Sequence, residues 1–399
     1  MTSPDSRIAV AVLYGGASPE HNVSCVSAGA IMAHLDPEVY RVVPVGITRG
    51  GTWTPGTAEP EKLVRRGREL PEVADVAEGG AELQLSTDPN RRGELRYVAG
   101  PGAGSVHDVV DVVFPVLHGP NGEDGTIQGL LELARVPFVG PGALASAAGM
   151  DKEATKILAA ARGLTVGEQV VLAEGEELSD ADRDRLGTPA FIKPARGGSS
   201  IGISKVDDWA DFPAALELAR AHDRKVIVEK GIVGAEVECG VLQRPDGTIV
   251  ASVPAQLTGT EDSAEGFYGF DTKYLDDVVT AQIPAPMSPE ATAELQEQAK
   301  AAFRALGCDG LTRVDFFVTA DGPVLNEVNT MPGFTPISMF PQMFTASGVE
   351  YGAVLVQDHP GLRLPHAPGV GDGQPDGLPD ARDSPHPPQF HHVREEGLG

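Results

Sequence analysis

The chain has 399 residues, 41% of them hydrophobic, and a formal net charge of −26. That length predicts two or three domains with sizeable cores, and the acidity argues against general binding to nucleic acid, though not against a nucleotide, which needs only a few local cations. No run approaches the ~18 consecutive apolar residues of a membrane span, and the first apolar run, Ile8 to Leu13, is too short for a signal segment, so no membrane span and a cytoplasmic location are expected.

Residues 7–14 are an apolar run ending at Gly15-Gly16, the pattern of a buried parallel strand and its turn. Ser18-Pro19-Glu20 reads as a helix start, with Ser18 as N-cap and a helix to about Leu35. Strands are expected near 41–47 and 109–117, and the alternation predicts a βαβ layout with a parallel sheet. Between them, residues 52–105 are rich in charge, Gly and Pro, and an extra hairpin or loop is expected there. A second unit starts near Val139-Gly140-Pro141, with a helix over about 152–161, strands at 190–193 and 225–230, and a Gly-rich loop at 196–202. A third unit has strands near 236–242, 248–253, 311–318 and 324–329. Its helix at about 290–306 places Leu295, Ala299, Ala302, Phe303 and Leu306 on one face and stops at Gly307. Residues 360–399 contain 8 Pro and 7 Gly and almost no apolar periodicity, so a disordered tail is expected from about 359. The tail's His366, His386, His391 and His392 lack regular metal-ligand spacing. Cys25, Cys239 and Cys308 are scattered and odd in number, as expected of buried thiols in a reducing compartment.

The most informative segment is Arg313-Val314-Asp315 followed by Asn326-Glu327-Val328-Asn329. Side chains alternate along a strand, so Arg313 and Asp315 share a face, as do Glu327 and Asn329. Asp321-Gly322 is a turn signal. With a five-residue loop over 319–323, Val318 faces Val324, Asp315 faces Glu327 and Arg313 faces Asn329. Two adjacent carboxylates repel unless a cation or proton lies between them. With an amide oxygen they suit Mg²⁺ completed by substrate phosphates. Solvated surface charges, or a carboxylate paired with Arg313, are the plainer reading, but Phe316, Phe317, Val324, Leu325 and Val328 favour a covered sheet and the metal.

Lys193-Pro194-Ala195-Arg196-Gly197-Gly198-Ser199-Ser200-Ile201-Gly202 delivers a lysine on a strand into a loop whose backbone N–H groups can approach phosphate. It is not a Walker A motif, and a plain turn fits as well. Lys152, in Met150-Asp151-Lys152, matters only beside a phosphate. Glu229 and Glu236 suit adenine and ribose, or are surface acids. His118-Gly119-Pro120-Asn121-Gly122-Glu123-Asp124-Gly125 follows a strand, where open α/β sheets bind ligands, or is a turn in which Asp124 caps a helix.

Taken in order, the Gly-Gly-Ala-Ser-Pro-Glu20 segment, the His118 loop, Met-Asp-Lys152, the Lys193 loop, Phe267-Tyr268 through Lys273-Tyr274, the Arg313/Asp315 strand and Asn326 to Thr335 match one family. Over about residues 7–358 the chain resembles the D-alanine–D-alanine ligases of the ATP-grasp superfamily. The resemblance implies an α/β fold of three domains: an N-terminal Rossmann-like domain (1–140), a central ATP-grasp subdomain (141–235) and a C-terminal ATP-grasp subdomain (236–358). ATP, the substrate, would lie between the last two. Asp315, Glu327 and Asn329 would hold two Mg²⁺ (or Mn²⁺), with Glu327 bridging. Lys152, Lys193 and Lys273 would contact phosphates, Glu229 and the backbone at Lys230 and Ile232 the adenine, and Glu236 the ribose. Arg313 would clamp the transferred phosphate and the developing oxyanion. Glu20 would accept the first D-alanine's ammonium, with Ser199 and Tyr274 orienting that substrate and His118 nearby. Gly333, Ser338 and Met339 would surround the second D-alanine.

The implied reaction converts one D-alanine to an acyl phosphate and joins it to another, for peptidoglycan precursors. A loop at about 260–275 would close over it, with Gly266 and Gly269 consistent with a hinge. Tyr274 after Lys273 fits the type that joins two D-alanines, since relatives that use D-lactate or D-serine usually differ around this loop; a D-alanine–D-lactate or D-alanine–D-serine ligase of the same fold is the alternative. A homodimer is expected from the resemblance. A binding protein on the same scaffold would need no complete Arg313, Asp315, Glu327 and Asn329 set. A nicotinamide-dependent dehydrogenase is disfavoured because Gly15-Gly16-Ala17-Ser18 lacks the G-x-G-x-x-G spacing.

Overall fold

The computed structural model describes residues 5–76, 78–259 and 280–355. The expected closing loop, with Lys273 and Tyr274, and the expected tail lie outside the described residues.

Strand β1 (Ile8–Gly15) pairs in parallel with β2 (Tyr40–Ile47). Its alternation separates two cores: Val10, Val12 and Tyr14 pack with Cys25, Ala28 and Ile31, whereas Ala9, Ala11 and Leu13 pack with Val43, Val45 and Leu131. Helix α1 (His21–His34) joins the two strands. It begins later than expected, and Ser18 is not its N-cap. The Ser18 hydroxyl instead accepts the Glu20 N–H (3.0 Å) and donates to the His118 carbonyl (2.8 Å), tying two loops together.

The 52–105 segment supplies β3 (Trp53–Pro55), antiparallel to β2, and most of a separate antiparallel sheet of β4 (Glu82–Leu85), β5 (Glu94–Ala99) and β6 (Val106–Val109). The strand expected near 109–117 is β7 (Val112–Pro115), parallel to β1, and β6 ends just before it in the other sheet. The chain changes sheets at Asp111, whose carboxylate accepts the Ala9 N–H at 2.8 Å.

After α2 (Thr126–Leu133) come α3 (Ala143–Met150) and α4 (Lys152–Ala160). An antiparallel sheet follows in the order β10-β9-β11-β8, from β8 (Gln169–Leu172), β9 (Ala190–Pro194), β10 (Ser204–Val206) and β11 (Val226–Lys230). Helices α5 (Asp180–Leu186) and α6 (Phe212–Arg220) contribute Leu186, Phe212, Leu216 and Ala219 to its core.

The last sheet has the order β15-β14-β12-β16-β17, with β13 on β12, from β12 (Ala235–Gln243), β13 (Ile249–Ala251), β14 (Ala255–Thr258), β15 (Thr280–Gln282), β16 (Leu311–Thr319) and β17 (Gly322–Asn329). Helix α7 (Pro289–Leu306) buries the five expected residues, Leu295, Ala299, Ala302, Phe303 and Leu306, and Gly307 closes it at φ 69°. Ala145 of α3 and Ala159 of α4 join this core, which brings the N-terminus of α4 to the end of β17.

The β16–β17 pairing is as expected at the site but not at the turn. Arg313 faces Asn329 and Asp315 faces Glu327, yet Val318 faces Pro323 rather than Val324. The loop has two residues, Ala320 and Asp321, and a bulge at Asn326 restores the register.

Candidate functional site

One cleft is lined by Glu20 from the β1–α1 loop, His118 and Glu123 from the loop after β7, Lys152 at the start of α4, and Gly197 to Ser199 from the Gly-rich loop. Arg313, Glu327 and Asn329 enter it from β16 and β17, Gly333 and Ser338 from the loop beyond, and Met339 from the first turn of the helix that follows.

Strand alternation puts the charged set on one sheet face. The Asp315 carboxylate accepts Arg313 Nε (2.8 Å) and Nη2 (2.7 Å) and Asn329 Nδ2 (2.9 Å). Arg313 Nε also lies 3.3 Å from Oε2 of Glu238, a buried carboxylate on β12 directly opposite Asp315. Sequence reasoning missed Glu238, although its two-residue spacing from Glu236 places the two on one face.

Asp151 caps α4 by accepting the Glu153 and Ala154 N–H groups, and the Lys152 N–H donates to the Ala195 carbonyl at 3.0 Å. Lys152 Nζ donates to the Gly197 carbonyl (3.0 Å) and lies 3.4 Å from Glu327 Oε2, so it spans the Gly-rich loop and the end of β17. Lys193 and Glu229 are diagonal neighbours on β9 and β11 and form a buried ion pair. The other Glu229 oxygen accepts from Lys156, also buried. Burial alone would raise the Glu229 carboxyl, but Lys193 and Lys156 outweigh it and hold it down at about 2. Burial lowers Lys156 to about 8 against the pull of Glu229. Lys156 was also missed; its place one turn after Lys152, on the same helix face, was the available signal. Lys193, Glu229, Lys230, Ile232, Glu236 and Asp315 do not line the cleft just described, Asp315 lying behind Arg313 and Asn329, to which it is bonded. A Cβ on Gly167 would stand 2.6 Å from Glu229 Oε1 and 3.0 Å from Ile232 Cδ1, so those three are adjacent.

At the other end Ser199 donates to the buried Glu20 carboxylate. Ser199 (φ 51°) and Ser200 (φ 59°) hold left-handed backbone, which non-glycine residues adopt at a cost. Gly119 (φ 71°) and Gly198 press against the same carboxylate, with a Cβ reaching within 2.6 and 2.9 Å of Glu20 Oε2. His118 sits between Met331 O (Nδ1, 3.1 Å) and Ser27 Oγ (Nε2, 3.2 Å), and burial lowers its pKa, favouring the neutral ring. Glu123 accepts the N–H groups of Gly119 (2.7 Å) and Met331 (3.1 Å), joining the loop after β7 to the loop after β17. Burial, then the neighbouring Glu20, raise its carboxyl to about 8. Asp124 accepts the first helical N–H of α2, from Thr126, at 3.0 Å, so the same loop both lines the cleft and starts the helix. Ser338 Oγ accepts the Thr335 N–H at 3.0 Å and holds the loop beside Gly333.

Among the described residues no three His, Cys, Asp or Glu side chains converge as a metal site. The set is two carboxylates and an amide, with Asn329 turned so that its NH₂ serves Asp315. Such sparse oxygen donors fit Mg²⁺, which keeps waters and takes phosphate oxygens, better than metals that need an all-protein cage.

A family model described as "D-ala D-ala ligase N-terminus" matches residues 9–141, and one described as "D-ala D-ala ligase C-terminus" matches residues 158–357. The chain is 61% identical over 359 residues to a D-alanine–D-alanine ligase of Corynebacterium jeikeium, covering 88% of this chain and 95% of that one. It is 58% identical over 351 residues to a D-alanine–D-alanine ligase of Nocardia farcinica, with 88% and 95% covered. Among solved structures it resembles the VanG D-Ala:D-Ser ligase of Enterococcus faecalis, with TM-score 0.74, 36% identity, and 88% of this chain and 98% of that one covered. It also resembles the D-alanine–D-alanine ligase of Coxiella burnetii, with TM-score 0.74, 29% identity, and 90% and 94% covered. With both family halves matched and the ATP-grasp architecture in place, the chain belongs to the D-alanine–D-alanine ligase family.

Proposed function

We propose that the cleft joins two D-alanines at the expense of one ATP, with the residue roles that follow. The observation that carries this reading is one cleft with two chemically different ends, Glu20 with Ser199 at one and Arg313 with Glu327 and Asn329 at the other. Glu20 accepts the ammonium of the first D-alanine, and Ser199 fixes the rotamer of that carboxylate. The substrate carboxylate then points toward Arg313, where its oxygen attacks the γ-phosphorus and ADP leaves. The second D-alanine lies against Gly333, Ser338 and Met339. Its amine attacks the acyl carbon, Arg313 stabilises the oxyanion of the tetrahedral intermediate, and phosphate departs. Lys152 and Lys193, with Lys273, neutralise the triphosphate; Glu229, Lys230, Ile232 and Glu236 hold the nucleoside.

Asp315, Glu327 and Asn329 would hold Mg²⁺, which when bound supplies charge neutralisation at the phosphates. Phosphoryl transfer asks the protein for position and charge, and holding the reactants together can supply about 7–11 kcal/mol of the barrier reduction. We infer three domains divided near residues 140 and 235, a cytoplasmic site of action where ATP is available, and a homodimer. The test is ADP release by the purified chain with D-alanine, L-alanine, or D-alanine with D-serine or D-lactate. ADP and D-alanyl-D-alanine are expected with D-alanine alone, and none with L-alanine; ADP release independent of D-alanine refutes the reading.

A further inference from the structure

Lys156 has no part in the roles above, yet it is a buried lysine in the middle of the nucleotide end. It lies one turn along α4 from Lys152 and bonds Glu229, the carboxylate that also holds Lys193. We propose that Lys156 is a positioning residue for nucleotide phosphate, holding Glu229 so that Lys193 can leave that carboxylate for a phosphate oxygen.

Glu229 is 4% exposed, so water cannot compensate it. A buried carboxylate with one cation binds that cation tightly, because separation strands a charge in low dielectric. With Lys193 alone, Glu229 would compete with the triphosphate for the Lys193 ammonium. With Lys156 on its second oxygen, Glu229 stays paired when Lys193 turns away. The inference rests on the reading that Lys193 is a phosphate ligand.

A double-mutant cycle in the full-length enzyme tests it, with the KM for ATP at saturating D-alanine as readout. Lys156→Met is expected to raise that KM at least about tenfold when Glu229 is present. In a Glu229→Gln background, where no carboxylate detains Lys193, the same change is expected to cost less than about threefold. Lys156→Arg, which keeps the charge, is expected to stay near the parent. The Lys156→Met/Glu229→Gln variant leaves one buried lysine, Lys193, without its carboxylate, against two in Glu229→Gln, so it is the less strained of the two and their comparison remains available even if Lys156→Met fails to fold. Equal costs in both backgrounds, or a KM in the double variant more than about tenfold above Glu229→Gln alone, would overturn the proposal. Lys193→Met separates the underlying reading: an unchanged KM for ATP there removes Lys193 as a phosphate ligand, whereas a raised KM with an additive cycle overturns the role of Lys156 only.

Discussion

Replacing Asp315 with asparagine separates the metal role proposed for it from its structural one. The Asp315 carboxylate takes three hydrogen bonds, two from Arg313 at 2.7 and 2.8 Å and one from Asn329 at 2.9 Å. Removing one partner of a buried ion pair typically costs about 3–5 kcal/mol, because the other charge is stranded. Here the guanidinium is not stranded, since Glu238 stands 3.3 Å from its Nε. Asparagine keeps one acceptor oxygen and sets an NH₂ against a donor, so at least one hydrogen bond is lost, about 1.5–3 kcal/mol. At ~2–4 °C per kcal/mol for domains of this order of size, melting should fall by about 3–12 °C. Turnover should fall far more, by about 10²–10³, as when a preorganised electrostatic stabiliser is removed. Differential scanning fluorimetry and coupled ADP release read the two effects on one preparation. Turnover within about tenfold of the parent, in a variant that melts as expected, would refute the assignment of Asp315 to the metal set.

Other expectations follow from the opposite end of the cleft. Ser199→Ala leaves the buried Glu20 carboxylate without this hydrogen bond, a loss of about 1.5–3 kcal/mol; melting should fall by about 3–12 °C, and the KM for D-alanine, read by coupled ADP release, should rise. Gly119→Ala adds a Cβ 2.6 Å from Glu20 Oε2 at φ 71°; it should cost about 1–2 kcal/mol in stability and weaken D-alanine binding, measured by calorimetry. Glu123 has its folded-state pKa raised from 4.5 to about 8, so the folded protein binds more protons than the unfolded chain across that window. Its contribution to stability is complete below pH 4.5 and lost as pH rises through about 8. Melting of the parent should therefore fall relative to Glu123→Gln between pH 5 and 8; parallel pH profiles would contradict the burial argument.

Local patterns carried much of the fold. The apolar stripe of α7 and its Gly307 stop are written in four-residue and three-residue spacings, which need no tertiary knowledge. The facing of Asp315 and Glu327 was also legible, but the turn length behind it was not. A two-residue turn and a bulge at Asn326 offset each other, and a bulge leaves little trace in alternation. Ser18 looked like a cap because hydroxyls at that position usually bond the helix; a loop about a hundred residues away took its hydrogen bond instead. Glu229 read as a free acceptor because neither Lys156, 73 residues away, nor the register of β9 on β11 can be seen from local spacing. Glu123 lay inside a quoted motif, yet its role as a bridge depends on Met331 across the cleft.

The central claim is that the ends of β16 and β17 grip metal-bound triphosphate beside Lys152. Its most direct measurement is calorimetric binding of a non-hydrolysable ATP analogue, with and without Mg²⁺, to the parent and to Glu327→Ala. The account predicts that Mg²⁺ strengthens binding at least about tenfold in the parent and hardly at all in the variant; an equal Mg²⁺ effect in both would contradict it.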